Sequence, residues 1–303
     1  MKLRLLVVML LKICFMESSP IPVIFVHSND ADYLENTLSQ AKQYNEVVIL
    51  LGDDTNKHHA KDGILYYPIA DYYKSSTDFK TIYRHMTQLP YDFEFACFSR
   101  WFIFDEFMKA HNIPVAFYCD SDVMLYCDIS KEYESNFKQY DMSAFRIDDT
   151  WVMMSYWSSQ AISSFCSFLT SFYGNTEQIS KIEQEFKNGG KWYHDDCPMT
   201  GLFVEEYKDI YKIGHLGQII DNATFDPVVW YSYQTYDRSR NSWFYQCQMV
   251  NKDVGDGKTL HLKDITWGRN LPYCFNLDLN TFIRLKALHF QGDHKKLIKD
   301  YRK

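Results

Sequence analysis

Val115-Ala-Phe-Tyr-Cys-Asp-Ser-Asp-Val-Met-Leu-Tyr126 joins two apolar segments through a pair of carboxylates. The first segment is rich in β-branched and aromatic residues and follows Pro114, which predicts a buried strand. Asp120 and Asp122 come next, and apolar residues resume at once. Because charge between buried segments is costly unless it is paired or metal-bound, the pattern suits a hard divalent cation such as Mg²⁺ or Mn²⁺. The alternative is a solvated turn that holds two Asp residues, and the apolar flanks favour the metal site.

A second motif lies near the end of the chain, at His289-Phe-Gln-Gly292-Asp-His-Lys295. Residues 287–290 are predicted to form a last strand that ends close to His289. Gly292 permits a tight backbone turn, and Lys295 can reach a phosphate as a point charge. A lone His is usually a satisfied core residue, but its spacing to Gly292 and Lys295 favours a ligand.

The two motifs together resemble those of a known enzyme group. FYCDSDVMLY resembles the DXD segment of nucleotide-sugar-dependent glycosyltransferases with the GT-A fold, and the second motif resembles the H-x-x-G-x-x-K of glycosyltransferase family 8, the glycogenin and galactosyltransferase-like group. The family motif continues with Pro-Trp, where this chain has Lys296-Leu297. The resemblance implies an α/β fold of the GT-A type, a Rossmann-like mixed sheet flanked by helices, in a single domain with a C-terminal acceptor-binding part. The domain would span residues 21–303, with a nucleotide-sugar half at about 21–150 and an acceptor half at about 151–303.

The resemblance also implies roles for residues at the matching positions. Asp122 and His289 would bind Mn²⁺ or Mg²⁺, and Asp120 would bind the metal, the ribose or both. Gly292 and Lys295 would contact the diphosphate. The residues implied for the rest of the donor are Asn29 and Asp30, for uracil and ribose, and Arg100, on the helix before the DXD strand.

Each of these last assignments has a structural alternative. Asn29 and Asp30 are residue types that also cap helices and form turns. Arg100 lies among bulky aromatics and needs an anionic partner, which an internal salt bridge to Asp105 or Glu106 would also supply.

A second acidic pair, Asp195 and Asp196, stands where family 8 has a D-Q-D-x-L-N segment. The sequence here is His194-Asp-Asp-Cys-Pro-Met199, so the match is partial. One carboxylate would contact the transferred sugar or the acceptor hydroxyl, and Asp196 is the preferred one. The alternative is a helix N-cap, a role that suits Asp195.

Upstream of the DXD strand, hydrophobic periodicity predicts a parallel βαβ unit. Val23–Val26 and Glu46–Leu51 are strands, with a helix from Leu34 between them whose Asp32 and Glu35 have the capping-box spacing. A third strand at residues 64–67 and a helix at residues 94–111 follow, and residues 71–90 show no period and are predicted as irregular. Ligands in such sheets bind at the carboxyl ends of the strands.

Composition limits the class of protein and the cellular compartment that the sequence predicts. The chain has 303 residues and a net charge of −7, so no broad nucleic-acid surface is indicated. None of its eight cysteines lies in a C-x-x-C spacing, which predicts buried free thiols in a reducing compartment and not a disulfide framework or zinc site. Residues 1–20 are predicted as a hydrophobic extension too short to span a membrane. Three interpretations of this extension remain: an interfacial helix that gives peripheral membrane contact through residues 1–15, a helix packed on the domain, or a start of translation at Met16. We expect a cytoplasmic protein, membrane-associated if the first reading holds.

The later half of the chain is rich in aromatic residues, which stack on sugar rings in acceptor grooves but more often pack in cores. They are Phe225, Trp230, Tyr231, Tyr233, Tyr236, Trp243, Phe244, Tyr245 and Trp267.

Together these features predict a metal-dependent, hexosyltransferase-like enzyme that moves a sugar from a UDP-sugar to a glycan or other acceptor. The resemblance suggests retention of configuration, whereas an inverting enzyme would need Asp195 or Asp196 as general base. Two rival hypotheses are another Asp-x-Asp metal-dependent phosphate enzyme, such as a nucleotidyltransferase, and a non-catalytic carbohydrate-binding or scaffold protein.

Overall fold

Strands and helices alternate through the first half of the chain, and strands dominate the second. The computed structural model describes residues 19–146, 150–188, 195–230, 247–255 and 257–303. The strands in these ranges are β1 (Val23–Val26), β2 (Val48–Gly52), β3 (Leu65–Pro68), β4 (Val115–Cys119), β5 (Val123–Leu125), β6 (Met142–Arg146), β7 (Thr150–Ser158), β8 (Ile213–His215), β9 (Ala223–Phe225), β10 (Met249–Asp253), β11 (Thr259–Lys263), β12 (Ile265–Gly268), β13 (Leu271–Asn276) and β14 (Thr281–His289). The helices are α1 (Leu34–Tyr44), α2 (Lys74–Lys80), α3 (Tyr91–Ala110), α4 (Ile129–Glu132), α5 (Ser159–Gly174), α6 (Thr176–Lys187), α7 (Asp196–Tyr207) and α8 (Ile298–Tyr301).

The main sheet has seven strands within the described ranges, in the order β3-β2-β1-β4-β7-β6-β8. The first four strands are mutually parallel, and β7 runs antiparallel to both β4 and β6. This confirms the predicted α/β fold with a Rossmann-like mixed sheet flanked by helices. The strand order reverses between β1 and β4, and open α/β sheets bind ligands in the crevice at such a reversal.

A second sheet, in the order β12-β13-β14-β5, holds the end of the chain, and β9 pairs with β14. The Asp120–Asp122 turn links β4 of the main sheet to β5 of this one. Strand β5 runs antiparallel to β14, in a register that places His289 opposite Val123. The two sequence motifs, far apart in the chain, therefore meet at the junction of the two sheets.

Both faces of the sheet are buried at strands β1, β2 and β4, which explains why these three strands are apolar without interruption. Ile24 points into the cluster that contains Phe98 of α3, whereas Val23 and Phe25 point into the cluster that contains Leu38 of α1. The period of two along β1 thus matches the pleat of a strand covered on both sides.

The segment 71–90 was predicted as irregular, but it contains helix α2. This helix has only seven residues, too few to be stable alone. It packs on α3, where the Ser76 and Ser99 hydroxyls lie 2.6 Å apart and the Phe79 and Phe102 rings stack at 4.7 Å. Tertiary contacts, which leave no period in the sequence, stabilise it.

The predicted capping box at the start of α1 is also wrong. The helix begins at Leu34 after Tyr33, which makes no side-chain cap hydrogen bond. Glu35 pairs instead with Lys61, at 3.0 Å.

The prediction of free thiols is wrong for two cysteines. Cys247 forms a disulfide with Cys274 of β13, because an antiparallel bridge between Cys247 and Asn276 brings the two chain segments together. Cys14 lies outside the described residues. The other described cysteines are free thiols: Cys97, Cys119, Cys127, Cys166 and Cys197.

Several predictions fall on parts of the chain that the structure does not describe. These are the hydrophobic extension up to residue 18 and the aromatic residues between 231 and 246. Among the described helices, none combines the length and the apolar character needed to cross a membrane.

Candidate active site

The Asp-x-Asp turn is held by backbone hydrogen bonds to both sheets. The Asp120 amide donates to the Met153 carbonyl of β7 at 2.7 Å, and the Phe290 amide donates to the Asp122 carbonyl at 2.9 Å. The turn therefore has a fixed position at the carboxyl end of β4, beside the point where the strand order reverses.

Asp120, Asp122 and His289 converge at this turn. One potential ligand atom from each lies within 4.8 Å of the others. Asp122 and His289 are buried, whereas the Asp120 side chain keeps 20% of its surface exposed. Two carboxylate oxygens and one imidazole nitrogen, open on one side, form a donor set that suits a divalent cation such as Mn²⁺.

The hydrogen bond of the His289 ring selects its tautomer. Nδ1 lies 2.7 Å from the Pro227 carbonyl, which can only accept, so Nδ1 carries a proton. Nε2 faces Asp122 Oδ1 at 3.2 Å. Burial alone would lower the pKa of His289, but Asp122 and Asp120 raise it above its usual range. A positive charge between Nε2 and the carboxylates is thus favoured, and a cation bound there would replace the proton.

Lys295 completes this side of the site. Its Nζ lies 3.1 Å from Asp122 Oδ2 and 5.3 Å from the centre of the Tyr33 ring. Gly292, at φ +62°, makes the turn that brings Lys295 back toward the cluster, in a conformation that side chains with a Cβ rarely adopt. Burial would raise the pKa of Asp122, but His289 and Lys295 hold it well below its usual value.

Arg100 joins the first acidic pair to the second. Its guanidinium donates to Asp120 Oδ1 at 2.6 Å and to Asp196 Oδ2 at 2.5 Å. The Trp101 indole also donates to Asp196 Oδ2, at 3.0 Å, and the Tyr118 hydroxyl donates to Asp120 Oδ1. The planar guanidinium suits this bridge because its donors are fixed in a fork.

The internal salt bridge considered for Arg100 is therefore wrong in its partners. Asp105 pairs with Lys109 at 2.6 Å, and Glu106 accepts from the backbone amides of Lys74 and Ser75. These two acids stabilise contacts away from the carboxylates of the site.

Asp195 and Asp196 take different places at the start of α7. Asp195 is the N-cap, and its Oδ1 accepts from the Cys197 amide at 3.0 Å. Asp196 is buried and faces Arg100. The N-cap alternative is confirmed for Asp195, and His194 of the quoted segment lies outside the described part of the chain.

Asn29 and Asp30 lie in the loop after β1 and make structural contacts. The Asn29 amide donates to Asp53 Oδ2 at 2.7 Å, with a backbone φ of 70°. Asp30 Oδ1 lies 2.6 Å from His59 Nε2. Asp53 also accepts from Thr55, so it is a turn residue.

A cavity of about 690 Å³ opens at the carboxyl ends of β1, β2 and β3. Its walls include Ser28, Asp53, Tyr66 and Tyr73. His27, which precedes the wall residue Ser28 in the chain, contacts Ser121 of the Asp-x-Asp turn.

Sequence reasoning assigned no role to His27 or to Ser121, the middle residue of the turn. His27 Nδ1 lies 2.9 Å from the Ser121 hydroxyl, and the Tyr33 hydroxyl lies 3.4 Å from the same group. Burial lowers the pKa of His27. The signal for His27 was its place at the end of a predicted strand, whereas the contact with Ser121 depends on the β1–β4 pairing.

A buried ion pair positions the carbonyl that binds His289. Lys263 Nζ contacts both Asp226 Oδ1 and the Val228 carbonyl, and neither charged side chain is exposed. The two contacts flank Pro227, whose carbonyl binds the imidazole. The pair therefore fixes the segment that orients the ring.

We expect Lys263→Met to lower the free energy of unfolding by about 3–5 kcal/mol, because it removes the cation of a fully buried ion pair with Asp226. Lys252→Met is the matched control on the same hairpin, since Lys252 and Asp300 form an exposed pair at 3.1 Å. Loss of such a pair costs less than about 1 kcal/mol. Urea denaturation measures both, and equal effects would contradict this role of Lys263.

The sequence matches no protein-family model and no curated protein. Among solved structures, mouse xyloside xylosyltransferase 1 matches with a TM-score of 0.46 and 9% identity, over 68% of this chain and 88% of that chain. The galactosyltransferase LgtC, in complex with donor and acceptor sugar analogs, matches with a TM-score of 0.36 and 8% identity, over 65% and 73%.

The bifunctional glycosyltransferase WbbM matches with a TM-score of 0.37 and 9% identity. The match covers 67% of this chain, which spans only 40% of the length of WbbM. A cytidylyltransferase from Leptospira borgpetersenii matches as well, with a TM-score of 0.32 and 11% identity, over 56% of this chain and 74% of that chain. At these scores the likenesses decide neither the fold nor the activity.

Proposed function

We propose that this protein is a metal-dependent glycosyltransferase of the GT-A type, which moves a hexosyl group from a UDP-sugar to a glycan or other acceptor. The observation that carries the proposal is the meeting of Asp120, Asp122 and His289, with Lys295 beside them, at the reversal of the strand order. These residues come from two separate sequence motifs, one typical of a metal site and the other of a metal and diphosphate site.

Asp120, Asp122 and His289 would hold Mn²⁺ or Mg²⁺. When bound, the cation would supply Lewis-acid stabilisation of the negative charge on the leaving diphosphate. Lys295 would bind the diphosphate oxygens as a second positive charge, and the turn at Gly292 would let the backbone approach them.

The nucleoside would occupy the cavity after β1, β2 and β3, with Asn29 and Asp30 at its edge. His27 and Ser121, which contact each other, would lie between this cavity and the proposed metal site. Two tyrosines, Tyr66 and Tyr73, line this cavity, and a base would stack on aromatic rings of this kind.

The transferred sugar would lie beside Arg100, Asp196 and Asp195. In the reaction the anomeric carbon–oxygen bond to the diphosphate breaks and a bond to the acceptor oxygen forms. The acceptor proton leaves with the departing diphosphate in a retaining reaction, which we propose. In an inverting reaction it would go to a carboxylate, and Asp195 or Asp196 would be the base.

Titration calorimetry of UDP with and without Mn²⁺ tests the proposal against its rivals. A glycosyltransferase is expected to bind UDP tightly only with the metal. A scaffold protein is expected not to bind UDP, either with or without Mn²⁺. A nucleotidyltransferase would release pyrophosphate from a nucleoside triphosphate and a sugar phosphate, a reaction that we expect this protein not to catalyse.

We expect Lys295→Met to weaken UDP binding in Mn²⁺ by about 10–100-fold, the effect of one lost charged hydrogen bond. Binding of Mn²⁺ alone should persist or tighten, because in the wild type Lys295 competes with the cation for Asp122 and in the variant it does not. Lys296→Met is the control, since Lys296 pairs with Asp293 at the surface. Unchanged UDP affinity in Lys295→Met would contradict the assigned role.

A further inference from the structure

A buried carboxyl group stands near the Arg100–Asp196 pair and is not used by the proposed mechanism. Glu94, in the first turn of α3, is 1% exposed. Neither of its carboxyl oxygens has a hydrogen-bond partner among the described residues. Because a buried polar group without a partner destabilises a protein, its presence needs a reason outside folding.

The position of Glu94 relates it to the second acidic pair. Glu94 and Trp101 are seven residues apart and share one face of α3, and the Trp101 indole donates to Asp196. Tyr173, on α5, has a buried hydroxyl that also lacks a hydrogen-bond partner in the described part of the chain. Burial raises the pKa of this hydroxyl, and Glu94, Asp195 and Asp196 lie near enough to add to that shift when they are ionised.

Glu94 is a neutral acid near pH 7. Burial, together with the charges of Asp196 and Asp195, raises its pKa to about 8, against the opposing effect of Arg100. A neutral carboxyl offers one O–H donor and one carbonyl acceptor. That combination matches a hydroxyl group, which also donates and accepts, better than it matches an ion.

The surroundings indicate which hydroxyl would be bound. Arg100 spans from Asp120, in the metal cluster, to Asp196. Glu94 lies on the Asp196 side of Arg100, and in the proposed site the sugar of a donor would extend in this direction. Arg100 and Asp195 are partly exposed and form the open side of this group of residues.

We propose that Glu94, with Tyr173 beside it, hydrogen-bonds a hydroxyl group of the transferred sugar and helps to determine which sugar is accepted. The inference rests on the proposed function, because it assigns a substrate group to the same site. It makes Glu94 a residue that improves substrate recognition while lowering stability.

Three variants test the inference: Glu94→Leu, Glu94→Gln and the control Asp92→Asn, which changes an exposed acid in the same helical turn. Glu94→Leu should raise the melting temperature by about 2–4 °C, because it removes the unpartnered group. It should leave UDP–Mn²⁺ affinity unchanged.

The same variant should lower kcat/KM for hydrolysis of the best UDP-sugar at least about tenfold and reduce the preference between UDP-glucose and UDP-galactose. Glu94→Gln keeps a donor and an acceptor and should retain activity within about threefold. Asp92→Asn should match the wild type in every measurement.

Several results would overturn the inference. A Glu94→Leu variant no more stable than the wild type would mean that the carboxyl already has a partner. A more stable variant with unchanged turnover and sugar preference would mean that no substrate uses it. A Glu94→Gln variant as inactive as Glu94→Leu would point to an ionised base. Failure of the wild type to bind UDP–Mn²⁺ would instead overturn the proposed function, and this inference with it.

Discussion

Asp122→Asn is expected to abolish metal-dependent turnover while leaving the protein folded. The change removes one negative charge from the proposed three-residue cation site and leaves the shape of the side chain intact. Loss of several kcal/mol of transition-state stabilisation corresponds to a fall in kcat of about 10³-fold or more. Hydrolysis of a UDP-sugar, measured across a range of Mn²⁺ concentrations, gives the rate.

The fold should survive because Asn has nearly the same size and shape as Asp122 and keeps an oxygen acceptor. His289 and Lys295 each lose a charged partner, which should lower the free energy of unfolding by about 1–3 kcal/mol. Asp128→Asn is the matched control: Asp128 caps α4, a role that Asn fills equally well. Normal turnover in Asp122→Asn would remove the Asp-x-Asp turn from the mechanism.

Arg100→Lys is expected to fold and to lose activity by about 100-fold. One ammonium group cannot occupy both ends of the fork that now joins Asp120 and Asp196, so one carboxylate would lose its position. A misplaced carboxylate at the reacting centre costs about two orders of magnitude in rate. Steady-state kinetics with the donor sugar measures this loss.

Arg100→Met removes the charge altogether and should be much less stable. Two carboxylates would remain partly or fully buried without their cation, a loss of about 3–5 kcal/mol. Arg146→Lys is the control for Arg100→Lys, because Arg146 pairs with Glu205 at 3.6 Å on a more exposed surface. If Arg100→Lys were as active as the wild type, the guanidinium fork would have no part in catalysis.

Local patterns were enough to predict the elements that carry the site. The apolar run before Asp120 predicted β4, and the alternation of strand and helix predicted the parallel unit of β1, α1 and β2. The motif at His289 predicted a strand that ends there. These features depend on neighbours in the chain, which sequence periodicity records.

What sequence reasoning missed depends on pairings between distant residues. Arg100 and Asp196 are 96 residues apart, whereas the alternatives at Asp105 and Glu106 are nearer in the chain but contact other parts of the fold. Glu94 carried one weak signal, an acid on the face of Trp101 in a largely apolar helix.

The disulfide between Cys247 and Cys274 gave no signal at all. The two residues are 27 positions apart and become neighbours only through a bridge to β13. The pairing of Lys263 with Asp226 also left no signal in the sequence. It forms only when the β10–β11 hairpin packs on the segment around Asp226, whose neighbour Pro227 contacts His289. Non-local contacts of this kind are set by the whole fold.

The most direct test of the proposed function is release of UDP by the purified protein from a set of nucleotide sugars, with and without Mn²⁺. The set comprises UDP-glucose, UDP-galactose, their N-acetylated forms and GDP-mannose. We predict metal-dependent release of UDP from one donor, slow in the absence of an acceptor and missing in Asp122→Asn. No release from any donor, together with no binding of UDP in the presence of Mn²⁺, would contradict the assignment of this site to glycosyl transfer.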